Sequence, residues 1–251
     1  MADIFNNFFG SYSSAPSWSN TKQLYLDGVN EYGTAVNVLP TLAAVDTGMI
    51  SYWFETPTPA TQRWHFGYSI TTANTYIVTQ HLGSRIYISC YINGSQKFTI
   101  RSNVVISANT RYHVAITQDG GIIKIYINNV NNQSNLNLSA PFSWFDSFAA
   151  NSLTLGTLFY NNTQTGYFTG NFDELLITNG VPSAAIVSDV YNGGTPKDES
   201  GRANKLFYCQ FGDNASDNFN SDVANQWRLY DSDLTLYMDT VNCEADSIEL
   251  I

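Results

Sequence analysis

The run from Arg111 to Asn131, RYHVAITQDGGIIKIYINNVN, restricts the fold of this chain more than any other stretch. Tyr112, Val114 and Ile116 alternate with His113, Ala115 and Thr117, and Ile123, Ile125 and Ile127 alternate with Lys124, Tyr126 and Asn128. A period of two puts each set on one face of a strand. Between the runs, Asp119-Gly120-Gly121 supplies residues that tolerate the positive φ of a tight hairpin turn. The spacing therefore predicts a β-hairpin pairing Tyr112–Gln118 with Ile122–Asn128.

A hairpin with one apolar face on each strand needs a second layer to cover it, and the rest of the chain offers strands. Candidates run Lys22–Asp27, Gly33–Val38, Met49–Phe54, Arg63–Ile70, Tyr76–His81, Arg85–Ile92, Phe98–Ser102, Leu153–Phe159 and Phe172–Thr178. Separators such as ETPTPATQ, TTANT and NGSQ carry the Gly, Pro, Asn and Thr of turns. Many short strands and little helical periodicity predict an all-β fold, an antiparallel two-sheet sandwich of the jelly-roll type. Within it Ile86, Ile88, Cys90 and Ile92 share the core face of one strand, with Tyr87, Ser89 and Tyr91 opposite. Only Pro182 to Tyr191 reads as a helix, with Ser183 as its N-cap and Gly193 beyond its end.

Three segments follow: an N-terminal arm over residues 1–20, the sandwich over 21–194, and a C-terminal extension over 195–251. The extension begins with the polar connector TPKDESGRANK, adds an edge strand at Lys205–Phe211, and then loses clear periodicity. In the arm, Ile4, Phe5, Phe8 and Phe9 are spaced to share one side of a helical turn or two and are candidate anchors on a partner.

Charge and cysteine content narrow the function. Net charge is −10, with no cluster of Lys or Arg, which argues against a nucleic-acid surface and against anionic membranes. No stretch approaches the ~20 apolar residues that span a bilayer. The start of the chain lacks the basic and apolar regions of a secretory signal. Three cysteines, Cys90, Cys209 and Cys243, are sparse and odd in number, which suits free thiols made in a reducing cytoplasm over a Cys209–Cys243 disulfide.

Three motifs in a fixed order carry a family resemblance. KQLYLDGVNEYGTAVN (Lys22 to Asn37), the RYHVAITQDGGIIKIYINNV hairpin, and LTLGTLFYNNTQTGYFTGNFDELLITNG with the helix after it resemble the opening, central and closing strands of laminin-G-like domains of the concanavalin A-like lectin/glucanase superfamily. KLFYCQFGDN and the Asp-rich stretch after it resemble the tail that follows such sandwiches in structural proteins of tailed bacteriophages, departing at Gln210 and Asn214. The resemblance implies a non-enzymatic structural or decoration protein of the virion, bound to other virion proteins and to copies of itself. The alternative is a glycan-binding adhesin used for attachment.

Candidate chemistry is sparse. Glycoside hydrolysis needs two carboxylates flanking one bond. The adjacent Asp173 and Glu174 are expected on opposite faces of their strand, because neighbouring side chains alternate. No catalytic residue is assigned. His65, His81 and His113 lie in strand patterns without a Ser, Cys or carboxylate at a telling spacing, which marks them as structural. No cofactor is expected, calcium being the one ion the resemblance admits. Asp27 and Asp173 match recurring acidic positions of the family, but Asp173 is expected to share a face with Leu175 and Ile177, where a carboxylate serves as a clasp more readily than as a ligand. For carbohydrate, Trp64, Trp144 and Tyr160 offer rings, and Asn161 and Asn162 offer amides for sugar hydroxyls.

Overall fold

The computed structural model describes residues 20–138, 144–214, 216–220, 226–231, 236–243 and 247–250. The candidate anchors Ile4, Phe5, Phe8 and Phe9 lie outside them. In chain order the first strands are β1 (Lys22–Asp27), β2 (Tyr32–Thr34), β3 (Gly48–Glu55), β4 (Arg63–Ile70), β5 (Thr75–Leu82), β6 (Arg85–Ile92) and β7 (Ser95–Ser102). Next come β8 (Tyr112–Asp119), β9 (Ile122–Ile127), β10 (Val130–Asn131), β11 (Gln133–Leu138), β12 (Ser152–Leu155), β13 (Leu158–Tyr160) and β14 (Thr163–Thr165). The long β15 (Thr169–Asn179) precedes β16 (Lys205–Cys209), β17 (Asn218–Asn220), β18 (Gln226–Tyr230), β19 (Tyr237–Val241) and β20 (Ile248–Leu250). Two helices, α1 (Leu39–Leu42) and α2 (Ala184–Tyr191), interrupt them.

The strands form two large antiparallel sheets. One has eight strands in the order β10-β9-β8-β3-β15-β1-β20, with β16 beside β1 along the same edge of β15. The other has ten, β11-β7-β6-β5-β4-β12-β2-β19-β18-β17. The predicted hairpin is present: β8 pairs with β9 through Asp119↔Ile122, and Gly120 and Gly121 form its two-residue turn at φ 55° and 87°. Alternation then sorts the side chains. Ile50, Tyr52, Phe54, Val114, Ile116 and Phe172 of the first sheet meet Phe66, Tyr68, Ile86, Ile88, Cys90 and Phe98 of the second in one buried core.

Three expected strands are shorter than their patterns, the edge strand from Lys205 ending at Cys209. Past Thr34 the chain turns helical over Val36–Val38 and runs into α1, which carries Pro40 in its first turn. Leu153–Phe159 is split by Gly156, whose φ of 84° ends β12 before β13 begins. The C-terminal segment, despite poor periodicity, adds strands to both sheets: β17, β18 and β19 extend the larger one beyond β2, and β20 pairs with β1.

The two outer faces differ. α2 starts at Ser183, whose hydroxyl accepts from Ile186 N at 3.2 Å, and lays Val187 and Val190 on Met49, Ala115, Leu176 and Tyr208 of the smaller sheet. The larger sheet has no helix over it among the described residues, and Trp64, Tyr87, Tyr91 and Arg101 on its outer face are partly exposed. At the other edge of the smaller sheet, Gln133 folds its amide onto β9, with Oε1 accepting from Ile125 N at 2.6 Å and Nε2 donating to Ile123 O at 2.8 Å. Asn131 Nδ2 donates to Ile125 O at 2.9 Å.

Candidate functional site

On the outer face of the larger sheet, strand register lines up side chains from four neighbouring strands. Trp64 lies opposite Gln80, Gln80 opposite Tyr87, and Tyr87 opposite Arg101, giving a row from β4 across β5 and β6 to β7. A second row runs Ser69, Tyr76, Tyr91 and Gln96. Between them Ser89 Oγ and Thr99 Oγ1 lie 2.9 Å apart. The alternation of β6, with Ile86, Ile88 and Cys90 inward, turns Tyr87, Ser89 and Tyr91 outward together.

A small hairpin walls one side of this face. β13 pairs with β14 through a tight turn at Asn161 and Asn162, whose φ values are 50° and 59°, a conformation asparagine tolerates better than most residues. Ser69 Oγ donates to Phe159 O at 2.5 Å, and Trp64 Nε1 donates to Thr165 Oγ1 at 3.2 Å, pinning the hairpin over β4. Tyr160 then stands edge-on to Tyr76 at 5.0 Å, and Tyr76 lies 5.1 Å from Tyr91. Burial raises the Tyr76 hydroxyl pKa, so it acts as a neutral donor.

The structure therefore brings Trp64 and Tyr160 into one cluster, around Val78 and Leu158, with Asn161 and Asn162 exposed at the hairpin tip. Trp144 is corrected: its ring is fully buried against Phe145 in the core, with no surface to offer a sugar. Residue type does not single out Tyr87, Tyr91, Gln80 and Arg101. The Tyr-Ser-Tyr alternation on β6 signals the two tyrosines, while Gln80 and Arg101 join them only through strand register.

The two candidate metal positions are separate. Asp27 is exposed and accepts from Val29 N at 2.7 Å, closing its own turn. It faces Thr169, four residues along β15 from Asp173, or about 13 Å. Among the described residues no group of three His, Cys, Asp or Glu side chains is placed to hold a metal.

Asp173 and Glu174 also depart from expectation. β15 carries a bulge between Asp173 and Leu176 where it pairs with β3, and Glu174 sits at φ 52°. The extra residue breaks the alternation, so Leu175 and Ile177 point into the core while Asp173 lies on the outer face opposite Trp53. Both carboxylates converge on one amide: Asn20 Nδ2 donates to Asp173 Oδ2 at 2.8 Å and to Glu174 Oε1 at 3.1 Å. The Arg111 guanidinium pairs with Asp173, and the Tyr208 hydroxyl donates to Glu174. Burial raises the pKa of Asp173 to about 7 against the opposing pull of Arg111. Burial and the Asp173 charge push Glu174 up as well. The pair is 1% and 5% exposed, a clasp between β15, the start of β1 and β16 rather than an open acid/base couple.

The three histidines are buried in two separate settings. Tyr52 Oη and His65 Nδ1 lie 3.0 Å apart, His65 Nε2 and His81 Nδ1 2.8 Å, and His81 Nε2 and Thr58 O 3.2 Å. One assignment satisfies the chain: each imidazole is neutral and donates through Nε2, ending on a carbonyl. Burial lowers His65 well below the usual range and His81 to about 4. His113 stands apart on the outer face of the smaller sheet, its Nε2 2.7 Å from Ser51 Oγ, with burial lowering it to about 3.

Comparison with known proteins agrees with this architecture. A family model described as concanavalin A-like lectin/glucanases superfamily (Laminin_G_3) matches residues 27–188. Among solved structures, the CBM40 module of the Ruminococcus gnavus IT-sialidase, bound to α2,3 sialyllactose, aligns at a TM-score of 0.56 and 14% identity, over 67% of this chain and 97% of that one. A putative carbohydrate binding protein from Bacteroides ovatus aligns at 0.58 and 12%, over 92% and 59%. A SAP-like pentraxin from Limulus polyphemus aligns at 0.53 and 16%, over 73% and 88%. At these identities the likeness is one of fold. No curated protein matched the chain in sequence.

Proposed function

The chain belongs to the concanavalin A-like lectin/glucanases superfamily, and from that membership we propose that it is a non-enzymatic glycan-binding module whose site is the outer face of the ten-stranded sheet. The observation that carries the reading is the cross-strand row of Trp64, Gln80, Tyr87 and Arg101 beside the Tyr76, Tyr91 and Tyr160 rings. Rings supply apolar faces for sugars, and amides, hydroxyls and a guanidinium bond their oxygens, the mixture that small-molecule sites use. Solved folds like this one include a CBM40 module bound to a sialylated sugar and a protein described as carbohydrate binding, which supports the same reading.

The non-enzymatic part rests on Asp173 and Glu174, whose convergence would otherwise invite a hydrolytic role. They lie on the other sheet, buried, with Arg111, Asn20 and Tyr208 as partners. Binding is proposed to be metal-independent, since no three ligand side chains gather on this face among the described residues. A glycan array read with the intact chain, then calorimetry on its best hit with and without chelator, tests this. Tyr91→Ala should abolish binding without unfolding the protein. Turnover of any bound glycan, or binding that survives Tyr87→Ala and Tyr91→Ala together, would overturn it.

The carrier we propose is the particle of a tailed bacteriophage, in which the module meets other virion proteins and further copies of itself. The Lys205–Asn214 segment resembles the tail of such proteins, and multivalent display would convert weak sugar affinities into avidity. Immunogold labelling of the particle is the test, and labelling confined to host material would refute it.

A further inference from the structure

Charge is distributed unevenly along this chain. It has 21 acidic and 11 basic residues, yet positions 56–118 contain no Asp or Glu. That stretch supplies β4, β5, β6, β7 and most of β8, and with them Arg63, Arg85, Lys97, Arg101 and Arg111. An acidic protein thus presents this outer face on strands stripped of carboxylates.

Most of these guanidiniums have an internal acceptor. Arg111 is paired with Asp173 on the other sheet. Arg85 Nη1 donates to the carbonyls of Ser102 and Asn103, and Arg63 Nη1 donates to Gln62 O at 3.1 Å. Arg101 differs. It is half-buried, its Nε is screened from solvent, and it makes no hydrogen bond or ion pair with a described residue. A partly desolvated guanidinium without an acceptor is unfavourable until an anion meets its planar fork of donors. It stands beside Tyr87 and two strands, or about 10 Å, from Gln80, within the span of a short oligosaccharide.

We infer that the glycan this face takes is acidic, and that Arg101 selects it by pairing with a sugar carboxylate. The inference rests on the glycan-binding reading above and adds to it the ligand's charge and the residue that reads it. The surrounding sheet contributes by omission: positions 56–118 carry no carboxylate, so these strands add no repulsion of their own against an anion.

Matched pairs of probes differing in the acid test it: trigalacturonate against its methyl ester, and 3′-sialyllactose against lactose, by calorimetry on the intact chain. At least one acidic member should bind tighter than its neutral counterpart and weaken with added salt. Arg101→Gln should weaken that acidic member by about 10- to 100-fold, the loss of one charged hydrogen-bonding partner, and weaken the neutral one by clearly less, so that the preference for the acid collapses. Arg101→Lys should recover part of the loss, since charge returns without the fork. Thermal melts of both variants confirm folding. Neutral and acidic members binding alike, with Arg101→Gln silent and Tyr91→Ala still disruptive, would overturn the inference and leave the glycan site standing. A face that binds nothing on the array would remove both.

Discussion

Replacing His113 with Gln should flatten the acid limb of this protein's stability curve. His113 lies on β8 with its ring against Trp53 at 4.9 Å and Tyr191 at 5.7 Å, and its Nδ1 is buried without a partner among the described residues. Protonation would place a charge and an unsatisfied N–H there, and burial accordingly lowers its pKa to about 3. The unfolded chain titrates at about 6.5. Between those values the unfolded state binds the proton and the folded state does not. Stability from a neutral His113 is therefore fully present above pH 6.5 and lost as pH falls. Two units below 6.5, at about 1.4 kcal/mol per unit, the loss reaches about 3 kcal/mol, a large part of the 5–15 kcal/mol typical of a domain. His81 adds in the same direction, while Asp173 and Asp217, with pKa values raised by burial to about 7 and about 6, oppose it. Those groups are common to both proteins and drop out of the difference. Urea titrations of wild type and His113→Gln, near neutrality and at roughly pH 4.5, read it directly. The wild type should lose about 3 kcal/mol more than the variant. Equal losses in the two proteins would refute the neutral, buried imidazole.

On the alkaline side the sign reverses for Glu174, because its raised pKa gives stability that is present below the unfolded value and lost as pH rises through the folded one. Glu174→Gln keeps a polar partner for Tyr208 and should lose less stability than wild type between roughly pH 4 and pH 8, an outcome that parallel urea curves would deny by coinciding. Trp144→Ala should destabilise by about 3–5 kcal/mol through the cavity it opens and leave glycan affinity unchanged in calorimetry; a fall in affinity without a fall in melting temperature would contradict its burial. Burial raises the pKa of Cys90 and Cys243 to about 12 and that of Cys209 as well, so native protein should resist iodoacetamide while denatured protein takes three labels by mass. Rapid native alkylation would contradict the packing around these thiols.

Much of the fold was legible because its signals are local. The hairpin at Gly120-Gly121 and the strands Lys22–Asp27, Arg63–Ile70 and Arg85–Ile92 follow directly from alternation bounded by turn residues. The face of Asp173 was not, because the bulge that sets it depends on a glutamate held at positive φ, which no residue preference announces. Nor was the pairing of β17 to β19: short strands with weak alternation gain their order from the neighbour they join, here β2. Residue type alone singles out Trp64, Tyr160 and Trp144 alike, whereas the fold clusters the first two and buries the third in the core. An aromatic beside a turn can face either way, and only packing decides. The cross-strand row needed register, which relates residues as distant as Trp64 and Arg101 and is unreadable until strands are paired.

The amide of Gln133 occupies backbone that another strand could otherwise pair with. β10 pairs with β9 only at Tyr126 and Ile127, so the earlier part of β9 has one side without a neighbour strand, a template on which another chain can grow; it is rich in isoleucine, with Ile122 61% exposed. Here two side-chain amides, from Gln133 and Asn131, imitate the missing neighbour strand and occupy the template. Substituting Gln133 would strip Ile125 N and Ile123 O of these partners without touching the hydrophobic core, so a residue outside that core shields this stretch of backbone.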